Sequence, residues 1–226
     1  MPIHNRVMRP LIPAGPVPLQ SHWRVAIVGA MTHVADTDTL TNMDLTGRML
    51  IAMPGMEDPR FDQSVIFVCA HSDEGAMGLV VNKVADDLKL SDLLEQLDID
   101  AAPKARRLPI HFGGPVESGR GFVLHDPGYT SSISTLEVDA RFSMTATLDI
   151  LEDMAAGEGP AAALIALGYA GWGPDQLEGE ITQNGWLIAE ATEKLIFGTA
   201  NESKWGAALG SLGINPLALS SEYGTA

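Results

Sequence analysis

The sequence predicts an α+β fold with a largely antiparallel, barrel-like sheet, and three observations lead to this prediction. Two apolar runs, Val65 to Ala70 and Ala76 to Val81, are joined by the turn sequence Asp73-Glu74-Gly75, which is typical of a β-hairpin. Neither run alternates between apolar and polar residues, so both faces of the hairpin are expected to be covered. The remaining predicted strands and helices intermix without a regular β-α-β repeat, which favours α+β over a parallel sheet.

The other elements follow from turn residues and caps along the chain. Further strands are predicted at Arg48–Met53, Ile110–Phe112, Gly121–His125, Leu136–Val138, Arg141–Thr145, Leu164–Gly168 and Trp186–Ala189. Helices are predicted to begin at Ser91, Thr147, Pro174 and Asn201. Gly157 and Gly213 are expected to end the second and last helices. Val116 to Arg120 is predicted to be a tight, glycine-flanked connection, and the last helix is expected to bury Trp205, Leu209 and Leu212.

The chain has 226 residues, of which 46% are hydrophobic and 19% charged, a composition typical of a globular protein with a real core. No apolar run approaches the roughly 20 residues that span a bilayer. The longest N-terminal run, Val25 to Met31, lacks the layout of a signal peptide. The single cysteine, Cys69, excludes an internal disulfide and fits a reducing compartment. These features predict a cytoplasmic protein without a membrane segment.

The first 43 residues differ from the rest of the chain. Their proline density and their lack of periodicity before Val25 predict a flexible N-terminal extension over residues 1–43, followed by a folded domain over 44–226. Met43 lies where the composition changes. It is either the start of the folded unit, the start of translation, or an ordinary residue of the extension.

The formal net charge is −15, with a pI near 4.6. Nucleic-acid-binding proteins usually carry a basic face, because neutralisation of phosphates supplies most of their affinity. The only local basic cluster consists of Lys104, Arg106 and Arg107, and a solvated loop is its favoured interpretation over a phosphate-binding patch. Direct binding of nucleic acid is therefore not expected, and protein partners are the expected alternative.

The chain has none of the common linear motifs of enzymes, such as a P-loop, a dinucleotide fingerprint, a zinc-protease motif or a nucleophile elbow. This absence weakens the hypothesis of an enzyme without excluding it. Cys69 lies in the middle of a predicted strand, which favours a buried apolar role over a reactive thiol. His71 is two residues further on, so it is expected to share a face with Cys69 and is the residue that would polarise it.

Other polar and glycine positions leave alternatives open. His71, His111 and His125 lie at strand ends, but no ligand-spacing motif accompanies them, so structural hydrogen bonding is favoured over a metal site, and no cofactor is predicted. Asn82 is expected to fix a loop rather than bind a ligand. Gly113-Gly114 forms either a tight turn or a backbone site for an anion. Trp172 is either a core anchor or an exposed aromatic on an interaction surface.

Several ordered motifs carry a resemblance to a known family. They are Leu50-Ile51-Ala52-Met53-Pro54, Asp58-Pro59-Arg60-Phe61, Ser64-Val65, His71 with Gly75-Ala76-Met77-Gly78-Leu79-Val80-Val81-Asn82-Lys83, Gly113-Gly114-Pro115-Val116, Arg120-Gly121-Phe122-Val123-Leu124-His125, Leu167-Gly168-Tyr169-Ala170-Gly171-Trp172, Gln176-Leu177-Glu178 with Glu180-Ile181, Trp186-Leu187 and Leu195-Ile196-Phe197. From about Asp44 to Ala226, the chain resembles the YqgE/AlgH family of small bacterial proteins. It departs from the family at Ala189-Glu190-Ala191, where a proline is usual, and at His111, where a tyrosine or leucine is expected.

The resemblance implies a soluble bacterial protein with an α+β fold, in which a bent, mostly antiparallel sheet closes towards a barrel and carries flanking helices. One branch of the family is described as a regulator of transcription linked to alginate production. The family has no agreed catalytic residues, so the resemblance implies none here.

Three hypotheses about function follow. The first is a non-enzymatic cytoplasmic regulatory or interaction protein that acts through protein partners, which an exposed apolar patch around Trp172 would favour. The second is an enzyme or a small-ligand-binding protein, which a deep, partly apolar cleft that joins His71, Asn82, Gly113, Gly114 and His125 would favour. The third is a thiol-based sensor that uses Cys69.

Overall fold

The computed structural model of this chain describes residues 44–56 and 58–215, and the predicted extension over residues 1–43 lies outside them. Within that part of the chain the strands are β1 Arg48–Ala52, β2 Val65–Ser72, β3 Gly75–Val80, β4 Val84–Lys89, β5 Pro109–Phe112, β6 Val116–His125, β7 Leu136–Glu137, β8 Ser143–Thr145, β9 Ala163–Trp172 and β10 Trp186–Glu190. The helices are α1 Leu90–Gln96, α2 Asp149–Ala156, α3 Gln176–Thr182 and α4 Asn201–Ser211. A π-helical turn, Lys194–Gly198, precedes α4.

The strands form one curled sheet in the order β10-β1-β2-β3-β9-β6-β8-β7, and every neighbouring pair in this order is antiparallel. Strand β5 lies off this path, pairs in parallel with the first half of β9, and also pairs with β4. The result is a half-barrel with a few helices, so the predicted α+β fold with a bent, mostly antiparallel sheet is confirmed. No helix among the described residues is long and apolar enough to cross a membrane.

The predicted hairpin of β2 and β3 lies in the middle of the sheet, between β1 and β9. All of β3 and the first five residues of β2 are buried, as the unbroken apolar runs predict. Side chains of β1 and β2 alternate between two apolar clusters, one on each face of the sheet. The pairing register shifts between Val68 and Ala70, so Cys69 is the extra residue of a β-bulge.

The chain crosses β9 immediately after β5, and three glycines make this crossing sterically allowed. Strand β5 lies along one edge of β9 and β6 along the other, so residues 113–115 pass from one edge to the other. A Cβ atom on Gly113 would lie 2.2 Å from the carbonyl oxygen of Gly168, and one on Gly114 would lie 2.1 Å from the carbonyl carbon of Tyr169. Gly168 itself has a φ of +72°, where a residue with a Cβ is strained. The double glycine therefore serves close backbone packing.

The two ends of the curled sheet approach each other through Arg141, which lies between β7 and β8. Its Nη1 donates a hydrogen bond of 2.5 Å to the carbonyl oxygen of Ala191, the residue after edge strand β10. Its Nη2 donates to Asp139 at 2.8 Å. A Cβ on Gly47, just before β1, would lie 2.9 Å from Asp139 Oδ2. Side-chain contacts rather than strand pairing thus connect the two ends of the half-barrel.

The predicted helix starts are wrong by one or two residues. Ser91 lies inside α1, whose N-cap is Lys89. Leu148 rather than Thr147 is the N-cap of α2, Asp175 follows Pro174 as the N-cap of α3, and Ala200 precedes Asn201 as the N-cap of α4. In none of these helices does an N-cap side chain bond the backbone, so residue type alone does not locate the start.

Other predictions about elements have mixed outcomes. Gly157 ends α2 in a left-handed conformation, and Gly213, also left-handed, follows α4, as predicted. Leu209 is buried, but Leu212 is 39% exposed, so its predicted core position is wrong. Val116–Arg120 is the irregular first half of β6 and not a connection. Strand β4 and the π-helical turn are not predicted from the sequence.

Candidate functional site

Cys69 is completely surrounded by the main apolar cluster, and its Sγ lies 3.8 Å from the carbonyl oxygen of Phe67. Burial raises the pKa of its thiol far above the ordinary value. The expectation that His71 shares a face with Cys69 is wrong, because the bulge at Cys69 shifts the alternation of side chains along β2. Cys69 packs into the main cluster, whereas His71 packs against α3 on the other face.

His71 and Trp172 are brought together, because both hold α3 against the sheet. The backbone N–H of Leu45 donates to His71 Nδ1 at 3.2 Å, so Nε2 carries the proton and donates to Glu178 Oε1 at 2.7 Å. The indole N–H groups of Trp172 and Trp186 both donate to Glu180 Oε2, at 2.9 and 2.7 Å. Trp172 is only 7% exposed, so of its two interpretations the structure shows the core anchor.

His125 and His111 are buried neutral residues of two polar networks. His125 Nδ1 donates to the carbonyl oxygen of Asp126 at 2.7 Å, so its Nε2 accepts from the Thr145 hydroxyl at 3.0 Å. His111 Nδ1 donates to the carbonyl oxygen of Ile165 at 3.1 Å, and its Nε2 faces the side-chain amide of Asn201. Burial lowers the pKa of both imidazoles.

The remaining predicted site residues also have structural partners. Asn82 Oδ1 accepts from the backbone N–H of Val65 at 2.8 Å, and its Nδ2 donates to the carbonyl oxygen of Gln63 at 2.9 Å, which fixes the loop before β2. The N–H of Gly113 donates to Leu167 at 2.8 Å and is not available to an anion. Among the residues described, no three His, Cys, Asp or Glu side chains are placed to hold a metal ion.

A cavity of about 390 Å³ lies at the tip of the central hairpin, and we call it the hairpin cavity. Its walls are Glu74, Ala76 and Met77 of the hairpin, Val116, Glu117, Arg120 and Phe122 of β6, and Tyr169, Gly171 and Trp172 of β9. Its floor is aromatic and apolar, and its charged side chains come from the hairpin turn and from the irregular half of β6. The cavity thus combines apolar and polar surface in about equal shares.

The charged groups of the hairpin cavity are arranged around one aromatic pair. Arg120 Nη1 donates to Glu117 Oε2 at 3.0 Å, and its guanidinium lies 5.3 Å from the centre of the Phe122 ring. Phe122 and Tyr169 meet edge to face, with ring centres 5.8 Å apart. Burial raises the pKa of the Tyr169 hydroxyl, and the Glu117 carboxylate adds to this rise whereas Arg120 opposes it. The cavity therefore already holds one cation against an aromatic ring and a carboxylate.

The local sequence explains why a cavity forms here. The register of β6 against β9 shifts between Val116 and Gly121, so the strand bulges away from the sheet. Glu117 has a φ of +46°, which is uncommon for a residue with a Cβ. Gly171 leaves room, because a Cβ there would lie 3.1 Å from the Tyr169 ring. Bulges and strained residues are over-represented at binding sites, and here both border the cavity.

Of the residues predicted as candidate site residues, only Trp172 borders the hairpin cavity. His71, Asn82, Gly113, Gly114 and His125 border neither this cavity nor the second one, near the π-helical turn. Sequence reasoning missed Glu117, Arg120 and Tyr169 as site residues. The available signal is a pair of opposite charges three positions apart within a glycine-flanked segment, a pattern that a simple connection between strands also explains.

Comparisons with known proteins agree with the fold. A family model described as AlgH-like matches residues 49–217. A UPF0301 protein of Ruegeria pomeroyi is 58% identical over 185 residues, which are 81% of this chain and the whole of that protein. A UPF0301 protein of Cereibacter sphaeroides is 55% identical over 184 residues, again 81% of this chain and all of the relative.

Two solved structures share the architecture. The solution structure of the AlgH protein from Pseudomonas aeruginosa matches with a TM-score of 0.67 and 40% identity, and the match covers 87% of this chain and all of that one. The crystal structure of a Corynebacterium diphtheriae protein matches with a TM-score of 0.61 over 79% of this chain and 91% of that one. At 21% identity, the second similarity shows the fold alone.

Proposed function

The chain belongs to the AlgH-like family, and from this premise we propose that it is a non-enzymatic regulatory protein of the cytoplasm that acts through protein partners. The observation that carries the proposal is the hairpin cavity, in which an aromatic floor lies beside two carboxylates and a single arginine. The cavity is accessible, whereas Cys69, His111 and His125 are buried and hydrogen-bonded within the fold.

The chemistry of the cavity supports a basic side chain of the partner as its occupant. The exposed Val116 and the partly exposed Tyr169 offer apolar surface to the aliphatic stem of a lysine or arginine, and the exposed carboxylates of Glu74 and Glu117 border the same cavity near its charged head. Arg120 already occupies this kind of position within the chain. A net charge of −15 also steers association towards a cationic partner surface.

The same charge argues against direct contact with duplex DNA, because an acidic protein has few cationic groups to displace the counterions of the DNA phosphates. A role in transcription would therefore pass through a protein partner. A titration of fluorescent promoter-length duplex at physiological salt should give only weak binding that fades as salt is raised. A sub-micromolar complex that resists scrambled competitor DNA would refute this part of the proposal.

The experiment that tests partner binding compares two variants. Each loses one negative charge, one at the hairpin cavity and the other away from it. The full-length protein, Glu117→Gln and the control Glu137→Gln serve as baits in lysate of the native organism, with quantitative mass spectrometry of the bound proteins. Glu137 is exposed on edge strand β7 and does not border the cavity. A partner should be captured by the wild type and the control and lost by Glu117→Gln. Equal capture by all three baits would contradict the proposed site.

A further inference from the structure

A second cavity, of about 430 Å³, lies beside the π-helical turn, on a different part of the surface from the hairpin cavity. We call it the π-turn cavity. Arg106 and Leu108 form one wall, Glu193, Lys194 and Phe197 form the other, and residues 161–163, all alanine, form its floor. The small side chains of the floor leave the volume open, and the volume lies within the range of small-molecule sites.

Arg106 and Lys194 both border the π-turn cavity and, like several other described lysines and arginines, take part in none of the ion pairs among the described residues. The chain has 29 acidic residues against 14 lysines and arginines, so a basic side chain is expected to find a carboxylate nearby. Glu193 borders the same cavity and pairs with neither of them. Two cations against one carboxylate make this cavity locally basic on an acidic molecule.

The position of Arg106 at the mouth is fixed by backbone carbonyls. Its Nη1 donates to the carbonyl oxygens of Pro160 and Ala161, at 3.1 and 2.5 Å, which leaves its other N–H groups to a further acceptor. Asp126 lies nearby, but its carboxylate already accepts from the N–H of Ala162 at 2.6 Å and from that of Gly128 at 2.9 Å. The basic cluster that the sequence assigned to a solvated loop thus places one arginine at a cavity.

The wall opposite Arg106 is the π-helical turn, Lys194–Gly198. Such turns are rare and occur frequently at functional sites. This one begins with Lys194 at the cavity and brings Phe197, which also packs against the core, to the same wall. Phe197 and Leu108 give the cavity an apolar part, and the two cations give it a polar one.

We infer that the π-turn cavity binds a small organic anion, which carries a phosphate or carboxylate group on an apolar body about the size of one ring. The anionic group lies between Arg106 and Lys194, and the apolar body lies against Phe197 and Leu108. This site is separate from the proposed function, which concerns a protein partner at the hairpin cavity.

The test titrates the ¹⁵N-labelled full chain with phenyl phosphate and benzoate, with benzylamine as the matched cation. Phenyl phosphate or benzoate should give saturable amide shifts at residues 161–163 and 194–198 and none at Glu117 or Tyr169. The anion that saturates first identifies the preferred head group. Benzylamine should give no shifts in the π-turn cavity. The absence of saturable shifts with both anions at millimolar concentration, or equal shifts with benzylamine, would overturn the inference.

Single substitutions distinguish specific binding in the π-turn cavity from nonspecific electrostatic attraction to the basic cluster. Lys194→Gln, and separately Arg106→Gln, should each weaken binding at least about tenfold, because each removes a charge-assisted contact. Arg107→Gln removes the same charge from an exposed neighbour that does not border the cavity, and it should change affinity by less than about twofold at 0.15 M salt. Equal weakening by Arg107→Gln would show only a nonspecific attraction. Lys194 is exposed, so its variant is expected to fold even if Arg106→Gln does not.

Discussion

Lys204 is the most unusual single residue of this structure, because it is a lysine of helix α4 that is only 2% exposed. Its Nζ donates a hydrogen bond of 2.6 Å to the carbonyl oxygen of Val81, just beyond the end of β3. No carboxylate forms an ion pair with it among the described residues. Burial lowers its pKa from the ordinary 10.5 to about 8. The lysine satisfies a buried carbonyl at the cost of desolvating an ammonium group.

The lowered pKa of Lys204 predicts that the difference in stability between the wild type and Lys204→Met changes with pH under alkaline conditions. Between pH 8 and 10.5 the unfolded chain keeps the Lys204 proton that the folded chain has lost, so folding becomes more favourable as pH rises. The wild type should gain up to about 3 kcal/mol over Lys204→Met across this window, at about 1.4 kcal/mol per pKa unit. Urea unfolding of both proteins at pH 7 to 10 measures the difference, in which the shared titrations of Cys69 and the tyrosines cancel.

The control for this experiment is Lys194→Met, which removes an exposed lysine. Its stability relative to the wild type should stay constant over the same pH range. A constant difference for Lys204→Met as well would show that the buried amine keeps its proton in the folded state as fully as in the unfolded chain at every pH tested.

Cys69 is expected to be inert in the folded protein, because its thiol is buried and its pKa is raised by that burial. A thiol reagent at neutral pH should modify the native protein no faster than the protein unfolds, and it should react at once in denaturant. Cys69→Ser measures the background. Rapid modification of the native protein would restore the hypothesis of a thiol sensor.

At the level of elements, the crossing of β9 by residues 113–115 depends on Gly168. A Cβ there would lie 2.4 Å from the carbonyl oxygen of Gly114, and the φ of +72° adds strain. Gly168→Ala should lower the free energy of unfolding by about 3 kcal/mol or more, because a backbone clash adds to an unfavourable conformation. Thermal and urea unfolding measure the effect.

Gly179 provides the matched control for the crossing. It lies within α3, and no atom lies within 4 Å of the position that its Cβ would take. Gly179→Ala should therefore be neutral or stabilise the protein by up to about 1 kcal/mol, as expected for a helix interior. If both substitutions have the same small effect, the crossing tolerates a side chain and this explanation of the double glycine fails.

Some strands and helices of the fold can be predicted from the sequence and others cannot. The hairpin of β2 and β3 was predictable, because its apolar runs and its turn are local features. Strand β4 was not, because its sequence, Val84 to Lys89, is polar and lies off the main path of the sheet. Helix starts were misplaced because backbone geometry and neighbouring groups, rather than the residue at the cap, determine them here. The bulge at Cys69 likewise leaves no sign in an unbroken apolar run.

The hairpin cavity was not predictable for a different reason. Glu74, Glu117 and Tyr169 are 43 and 52 residues apart in the sequence, and only the pairing of β9 with both β3 and β6 brings them together. The candidate residues chosen from the sequence were histidines, glycines and an asparagine with strong local signals. In the structure most of these residues make close backbone contacts or buried hydrogen bonds. Residue type alone does not distinguish these structural roles from ligand binding.

At the scale of the whole molecule, the sheet is curled so that its two ends approach each other without strand pairing. Arg141 is the described side chain that hydrogen-bonds across them, from the β7–β8 hairpin to the carbonyl oxygen of Ala191 after β10. Asp139 holds the guanidinium in place and also accepts from the backbone N–H groups of Arg141 and Phe142, at 2.7 and 2.9 Å. Burial opposes ionisation of Asp139, but its hydrogen bonds with Arg141 outweigh this and lower its pKa.

Arg141→Met should therefore loosen the closure of the half-barrel more than it lowers global stability. The lost hydrogen bond to Ala191 should cost about 1 kcal/mol, because Arg141 is partly exposed. Hydrogen exchange of β10 and β8 amides should accelerate, while exchange in the central β2–β3 hairpin should follow only the change in global stability. The difference from the wild type should shrink as pH falls through the lowered pKa of Asp139, since the stability from that carboxylate is present above its ordinary pKa of 3.8 and is lost in acid.

Arg48→Met is the control for Arg141→Met. It removes an arginine near the same edge of the sheet but no contact between the two ends. Arg48 forms an ion pair with Glu190 between β1 and β10, and both side chains are exposed, so this substitution should change stability by less than about 0.5 kcal/mol. It should also leave exchange in β8 unchanged, because Arg48 pairs within one end of the sheet and Arg141 connects both. If Arg48→Met accelerates exchange in β8 as much as Arg141→Met does, the two ends are held by the general packing of the core and not by the arginine.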